Sequence, residues 1–143
     1  MLNIFLEAYE GSKCFLNGKQ ISVKKGNIEK GDTVMFVNHK STRSNCDYSK
    51  LISHFIQNDV FVMADVCNTF VAAMIIMGKV KCGFITPAHV WDRAAVSIIL
   101  RSAGGSMLSD QSPITNVFDQ PYKHIILTNR DTDKYCLELV NKF

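Results

Sequence analysis

Apolar and polar residues along this chain follow two rhythms, and the rhythm changes partway. Near the start the period is two. Residues 4–8 are a short apolar stretch that predicts a strand, and Glu10-Gly11-Ser12 reads as a turn. Residues 14–16 and 19–23 flank Asn17-Gly18, with Ile21 and Val23 alternating with polar neighbours. That pattern predicts a hairpin, because Asn-Gly tolerates the positive φ angles of a type I′ turn. Residues 24–31 are a polar connection, and 33–37 read as a buried strand.

The helical rhythm takes over after a loop of turn formers at 38–45. Tyr48, Leu51, Ile52, Phe55 and Ile56 recur at helical spacing, with Ser44 or Asn45 as the expected cap. Residues 60–63 form a short strand. Residues 67–77 are apolar on all sides, which predicts a buried helix ended by Gly78. A strand at 81–85 and a helix at about 91–103, stopped by Gly104, come next. Strands at 106–109 and 123–128 enclose a turn-rich loop with Pro113 and Pro121. Asn129 or Asp131 is the expected cap of a last helix, with Tyr135, Leu139 and Val140 facing inward. A hairpin followed by alternating strand and helix predicts a layered α/β fold. Its sheet is mixed, partly parallel and flanked by helices.

Composition narrows the function classes. A chain of 143 residues is one domain with room for a full core. The net charge of +3 is small and its basic residues are scattered, which argues against a nucleic-acid surface; a nucleic-acid-associated regulator ranks last. Lys19, Lys24, Lys25 and Lys30 read as the solvated rim of the hairpin. The five cysteines, Cys14, Cys46, Cys67, Cys82 and Cys136, include no CxxC pair. Buried reduced thiols are expected, in keeping with a cytoplasmic protein. The most apolar window, residues 70–77, is too short to span a bilayer, and no signal-peptide pattern opens the chain.

Candidate chemistry gathers at residues 88–105. His89-Val90-Trp91-Asp92 opens the predicted helix, and Ala103-Gly104-Gly105 closes it. Taken residue by residue, the simplest roles are structural. Asp92 reads as a helix cap, Trp91 as a packing residue and His89 as a structural histidine. Gly104-Gly105 reads as a C-cap with close strand packing. Asp59 and Asp65 read as surface or loop acids, and Met74 and Met77 as core filler. Cys67 sits at a helix start, where a thiolate can be reactive, but a buried inert thiol is the expectation.

Three segments, in order, resemble the inositol monophosphatase family of magnesium-dependent phosphomonoesterases. The first runs from Ala8-Tyr9-Glu10-Gly11 to Asn17-Gly18, with Ile21-Ser22-Val23 as the next strand. The second, and the specific one, is His89-Val90-Trp91-Asp92-Arg93-Ala94-Ala95 with Ala103-Gly104-Gly105. The third is Ile125-Ile126-Leu127-Thr128-Asn129. The resemblance implies that Asp92 is a ligand to a catalytic Mg²⁺ and that His89 and Cys67 lie at the substrate. It assigns no catalytic residue in this chain.

The same resemblance marks departures. Val66 and Cys67 stand where the family has a glycine and a Ser or Thr. Ile85 stands where an acid contacts inositol, Val96 where a glycine is usual, and Ser102 where a glutamate precedes Ala-Gly-Gly. No Asp-Pro-x-Asp-Gly-Thr motif occurs. The chain is therefore expected to correspond to the C-terminal half of such an enzyme, one domain over residues 1–143 without the N-terminal catalytic half. Three expectations follow. It is a truncated phosphatase for inositol monophosphate or a related small phosphomonoester, inactive by itself, or else a non-catalytic module keeping the fold. Its partners are a small phosphorylated substrate, a separate N-terminal half or a second copy, with no nucleic acid and no membrane. Its uncovered sheet face and edge favour self-association.

Overall fold

The computed structural model describes residues 3–37, 47–65, 67–85, 89–109, 112–116, 118, 122 and 124–143, apart from the side chains of Asp65 and Asp92. The chain opens with a small antiparallel sheet of β1 (Leu6–Glu7), β2 (Cys14–Leu16) and β3 (Lys19–Ile21), in the order β1-β2-β3. Asn17 and Gly18 both have positive φ, at 49° and 76°, as the type I′ turn requires. The Asn17 side chain also accepts from Phe5 N at 2.9 Å and donates to Asn3 O at 2.9 Å, which ties the start of the chain to the hairpin tip.

A five-stranded sheet follows, built from β4 (Thr33–Val37), β5 (Phe61–Asp65), β6 (Cys82–Ile85), β7 (Ser106–Leu108) and β8 (Ile125–Thr128). Its order is β5-β4-β6-β8-β7. β4 pairs parallel with both β5 and β6, whereas β8 runs antiparallel between β6 and β7. The mixed, partly parallel sheet expected from the sequence is the one observed.

Among the described residues four helices cover it: α1 (Tyr48–Gln57), α2 (Asn68–Ile76), α3 (Val90–Ser102) and α4 (Asp133–Lys142). Strand alternation divides the core. Val34, Phe36 and Phe84 face a cluster with Leu51 and Phe55 of α1 and Leu139 and Val140 of α4. Met35, Val37 and Ile85 face a cluster with Val71 and Ile75 of α2 and Val96 and Leu100 of α3. Cys14 and Val23 reach that second cluster from the small sheet. The layers are therefore small sheet, α2 with α3, large sheet, and α1 with α4. α2 lies inside this stack, which explains why it is apolar all round.

Two glycines set the spacing of the layers. A Cβ on Gly83 would collide with Val71, so α2 lies directly on β6. A Cβ on Gly105 would fall 2.6 Å from Thr128 O and 2.7 Å from Leu100 Cδ1. Gly104, at φ 88°, ends α3 in the left-handed region. The C-cap and close-packing expectation for this pair holds.

Several local expectations change. The expected caps Ser44 and Asn45 lie outside the described residues, and the cap of α1 is Asp47. Its Oδ1 accepts from Ser49 N at 3.1 Å and Lys50 N at 3.3 Å. The Ser49 hydroxyl, then the Lys50 amide, holds its carboxyl below the usual range. The cap of α4 is Thr132, not Asn129 or Asp131. Asn129 is instead a buried latch: its Nδ2 donates to Lys24 O at 3.0 Å and Gly26 O at 2.8 Å, and its Oδ1 accepts from Thr132 N at 3.2 Å. Tyr135 was expected inward but is exposed, as is Ile56 of α1. The Tyr135 hydroxyl instead meets His54 Nε2 at 3.1 Å on the protein's surface.

Candidate functional site

Because β4, β5 and β6 are parallel, their C-terminal ends lie on one side of the sheet, where α2 follows β5 and α3 follows β6. α2 and α3 pack against each other. The end of an α/β sheet where strands hand over to helices is the usual place for a ligand crevice. The sequence-selected residues Cys67, His89 and Asp92 all fall at these two helix starts.

His89 is the N-cap of α3, in extended conformation at φ −60° and ψ 157°. Its carbonyl accepts from Arg93 N at 3.2 Å, while its imidazole makes no capping bond. The ring instead stacks on Trp91, with centroids 4.4 Å apart and planes 11° from parallel. Trp91 is 69% exposed and so is not the packing residue its type suggested. Asp92 is the third residue of α3, so it is not the N-cap; its side chain lies outside the described residues.

Cys67 is the N-cap of α2 and is exposed, not the buried thiol expected. Its Sγ lies 3.0 Å from Thr69 Oγ1. The neighbouring Asn68 Oδ1 is buried and has no hydrogen-bond partner among the described residues. Val66 lies outside the described residues. Ile85, at the position where the resemblance puts an inositol-contacting acid, is buried in the apolar core. Asp65 ends β5, and Asp59 is away from both helix starts, in an exposed ion pair with Lys30 at 2.8 Å.

The other cysteines follow expectation where described. Cys14, Cys82 and Cys136 are buried and reduced, while Cys46 lies outside the described residues. Burial, and then the adjoining Cys136 thiol, pushes the Cys82 thiol well up.

Arg93 was not singled out from the sequence, yet it is 1% exposed. Its guanidinium lies 5.1 Å from the centre of the Tyr122 ring. The Tyr122 hydroxyl donates to Asn116 O at 2.8 Å, and Arg101 donates to Ile114 O. Two arginines of α3 thus hold the loop between β7 and β8. The signal was present in the sequence, since Arg93, Val96, Ser97 and Leu100 repeat at the spacing of a buried helix face.

A divalent cation needs several oxygen ligands. Among the described residues, no group of three or more His, Cys, Asp or Glu side chains is placed to hold one. The described side chains therefore do not by themselves make a metal centre. Among the described residues, no helix is long and apolar enough to cross a membrane.

Comparison with known proteins agrees with this architecture. The inositol monophosphatase of Thermotoga maritima superposes with a TM-score of 0.80 at 23% identity, over 98% of this chain and 52% of its own. An IMPase/NADP phosphatase complexed with NADP and Ca²⁺ gives 0.75 at 14% identity, over 96% of this chain and 51% of its own. A dual specific IMPase/NADP phosphatase bound with D-inositol-1-phosphate gives the same values. The chain spans about half the length of these structures. No curated protein matches it significantly by sequence. The profile of the inositol monophosphatase family matches residues 1–141. The chain belongs to the inositol monophosphatase family.

Proposed function

We propose that this chain is the α3-bearing half of a metal-dependent phosphatase for inositol monophosphate or a related small phosphomonoester. The observation that carries the reading is the convergence of two helix starts, α2 and α3, at the C-terminal end of the parallel strands. Backbone N–H groups at a helix start favour an anion such as phosphate. Family membership and the D-inositol-1-phosphate and NADP held by similar structures support the substrate class.

In this reading the stacked His89 and Trp91 rings form a flat wall beside the phosphate, and Cys67 lines the opposite helix start. Asp92 supplies one carboxylate to Mg²⁺. One carboxylate is too few for that ion, so the remaining acids come from a complementary half of the fold, in a cytoplasmic assembly. The test is phosphate release from D-inositol-1-phosphate with Mg²⁺, after a polypeptide carrying that half has been supplied. Activity that Asp92→Asn abolishes supports the reading; no hydrolysis by the completed protein refutes it.

A second reading is a non-catalytic module that keeps the fold. Ile85 favours it, since an apolar core residue occupies the position of a substrate-contacting acid. Tight Mg²⁺ binding by this chain in calorimetry, lost in Asp92→Asn, would count against it.

A further inference from the structure

The β2–β3 hairpin, the connection after it and the C-terminal end of α3 form a cleft of about 280 Å³. It lies at the end of α3 opposite His89 and Asp92, about 15–20 Å away along a helix of 13 residues. Its polar lining is Lys13, Gln20, Ser22, Lys25, Arg101 and Ser102. Three of these side chains are cations, and among the described residues no acid lines the cleft. Like charges gathered in one concavity focus a positive field there.

Nothing within the described fold neutralises that field. Among the described residues, Lys13 and Lys25 take part in no ion pair. Arg101 donates to Ile114 O, a neutral carbonyl. Cations near a helix C-terminus usually answer its exposed carbonyls. Here the carbonyls of Ile99, Leu100, Arg101 and Ala103 already accept from the amides of Ala103, Gly105, Gly104 and Val23, at 2.9–3.1 Å. The backbone under the cleft is also set in advance. β2 pairs with β3, Val23 is tied to α3, and Asn129 Nδ2 holds the Lys24 and Gly26 carbonyls that flank Lys25.

We propose that this cleft binds a phosphoryl dianion, free or carried by a small molecule, with Lys13, Lys25 and Arg101 around its oxygens. Gln20, Ser22 and Ser102 supply neutral hydrogen bonds to the same group or to the body that carries it. A doubly charged tetrahedral group suits three cations better than a carboxylate, which brings one charge in one plane. The volume is just under the roughly 300–1,000 Å³ of small-molecule sites, so the ligand is about the size of a sugar phosphate or smaller. This site does not depend on the reaction proposed above, and its test reads binding without hydrolysis.

The test is titration of the isotope-labelled whole chain, followed by two-dimensional NMR, at a constant salt of about 0.15 M. The first probe is inorganic phosphate and the second is D-inositol-1-phosphate. Saturable shifts are expected at the amides of Lys25, Ser102 and Gly104, with a Kd on the order of 0.1–1 mM. Lys13→Gln combined with Lys25→Gln should weaken binding about tenfold. Its circular dichroism should be unchanged, since both lysines are exposed. Lys19→Gln combined with Lys79→Gln removes the same charge from exposed lysines outside the cleft. That pair should weaken binding by less than about twofold, because salt screens distant charges.

D-inositol-1-phosphate binding at least as tightly as phosphate supports the site with an organic phosphate as ligand. Phosphate binding with D-inositol-1-phosphate excluded supports it with free phosphate as ligand. No saturation up to about 20 mM of either probe would overturn the proposal. So would undiminished binding in the Lys13→Gln and Lys25→Gln variant, an equal loss in the control pair, or shifts confined to the starts of α2 and α3.

Discussion

The two ends of α3 contrast sharply. At its C-terminal end the helix is tied into the fold. Gly104 turns the chain, Gly105 lies against β8 and Leu100, Val23 N donates to Ala103 O at 2.9 Å, and Arg101 holds Ile114 O. At its N-terminal end His89 and Trp91 are exposed and stack on each other. One end is needed for the fold. The other presents backbone N–H groups and aromatic surface that the described fold does not use. An element can thus belong to the core at one end and, in the proposed reading, to a ligand site at the other.

The largest expected effect falls at the closed end. Gly105→Ala forces a methyl group against a backbone carbonyl and a buried leucine, and should cost about 3 kcal/mol in urea unfolding. A loss below about 1 kcal/mol would mean that this end is as tolerant as the other.

Asn129→Ala comes next. It leaves the carbonyls of Lys24 and Gly26 and the Thr132 amide without their side-chain partner, at about 2–3 kcal/mol. Asn129→Asp should cost at least as much, because a buried carboxylate cannot donate to the two carbonyls and its oxygen would oppose theirs.

A smaller effect is pH-dependent and lies away from α3. Burial, and then the Lys142 charge, lowers the pKa of His54. The folded state therefore disfavours the protonated ring. Its contribution is complete above the unfolded histidine pKa of about 6.5 and is lost as pH falls from there toward the lowered folded value. The urea midpoint should drop between about pH 7.5 and 5.5, and His54→Gln should flatten that drop. An unchanged drop in His54→Gln would move the effect to another group.

The smallest expected effect is at the open end. Trp91→Ala should change stability by no more than about 0.5 kcal/mol in the same assay, since the ring is mostly in solvent. A cost near that of Gly105→Ala would remove the contrast between the two ends.

Much of the fold was readable from residue order, because the signals are local. Asn17-Gly18 announced the hairpin, the largely apolar 67–77 stretch announced α2, and Gly104-Gly105 announced the end of α3. Readings that depend on partners distant in sequence failed. Tyr135 has the spacing of an inward residue, but its hydroxyl pairs with His54, 81 residues away. Asn129 looks like a cap, yet it bonds to a segment 105 and 103 positions earlier. At the candidate site, Cys67, His89 and Asp92 were readable as helix-start residues. The burial of Arg93 and the exposure of Trp91 and Cys67 were not inferred. Periodicity gives the side of a helix, not what covers it.

The sequence by itself determined the alternation of strand and helix, the turn and cap glycines, and the motif around Asp92 that carries the family. It could do so because φ preferences and apolar periodicity act within a few residues. Only the tertiary structure decided which strands are neighbours, that α2 is enclosed while α3 keeps one open end, and that β5 stands at the edge of the large sheet among the described residues. Those outcomes depend on layers packing against one another across the whole chain, where one buried contact excludes another.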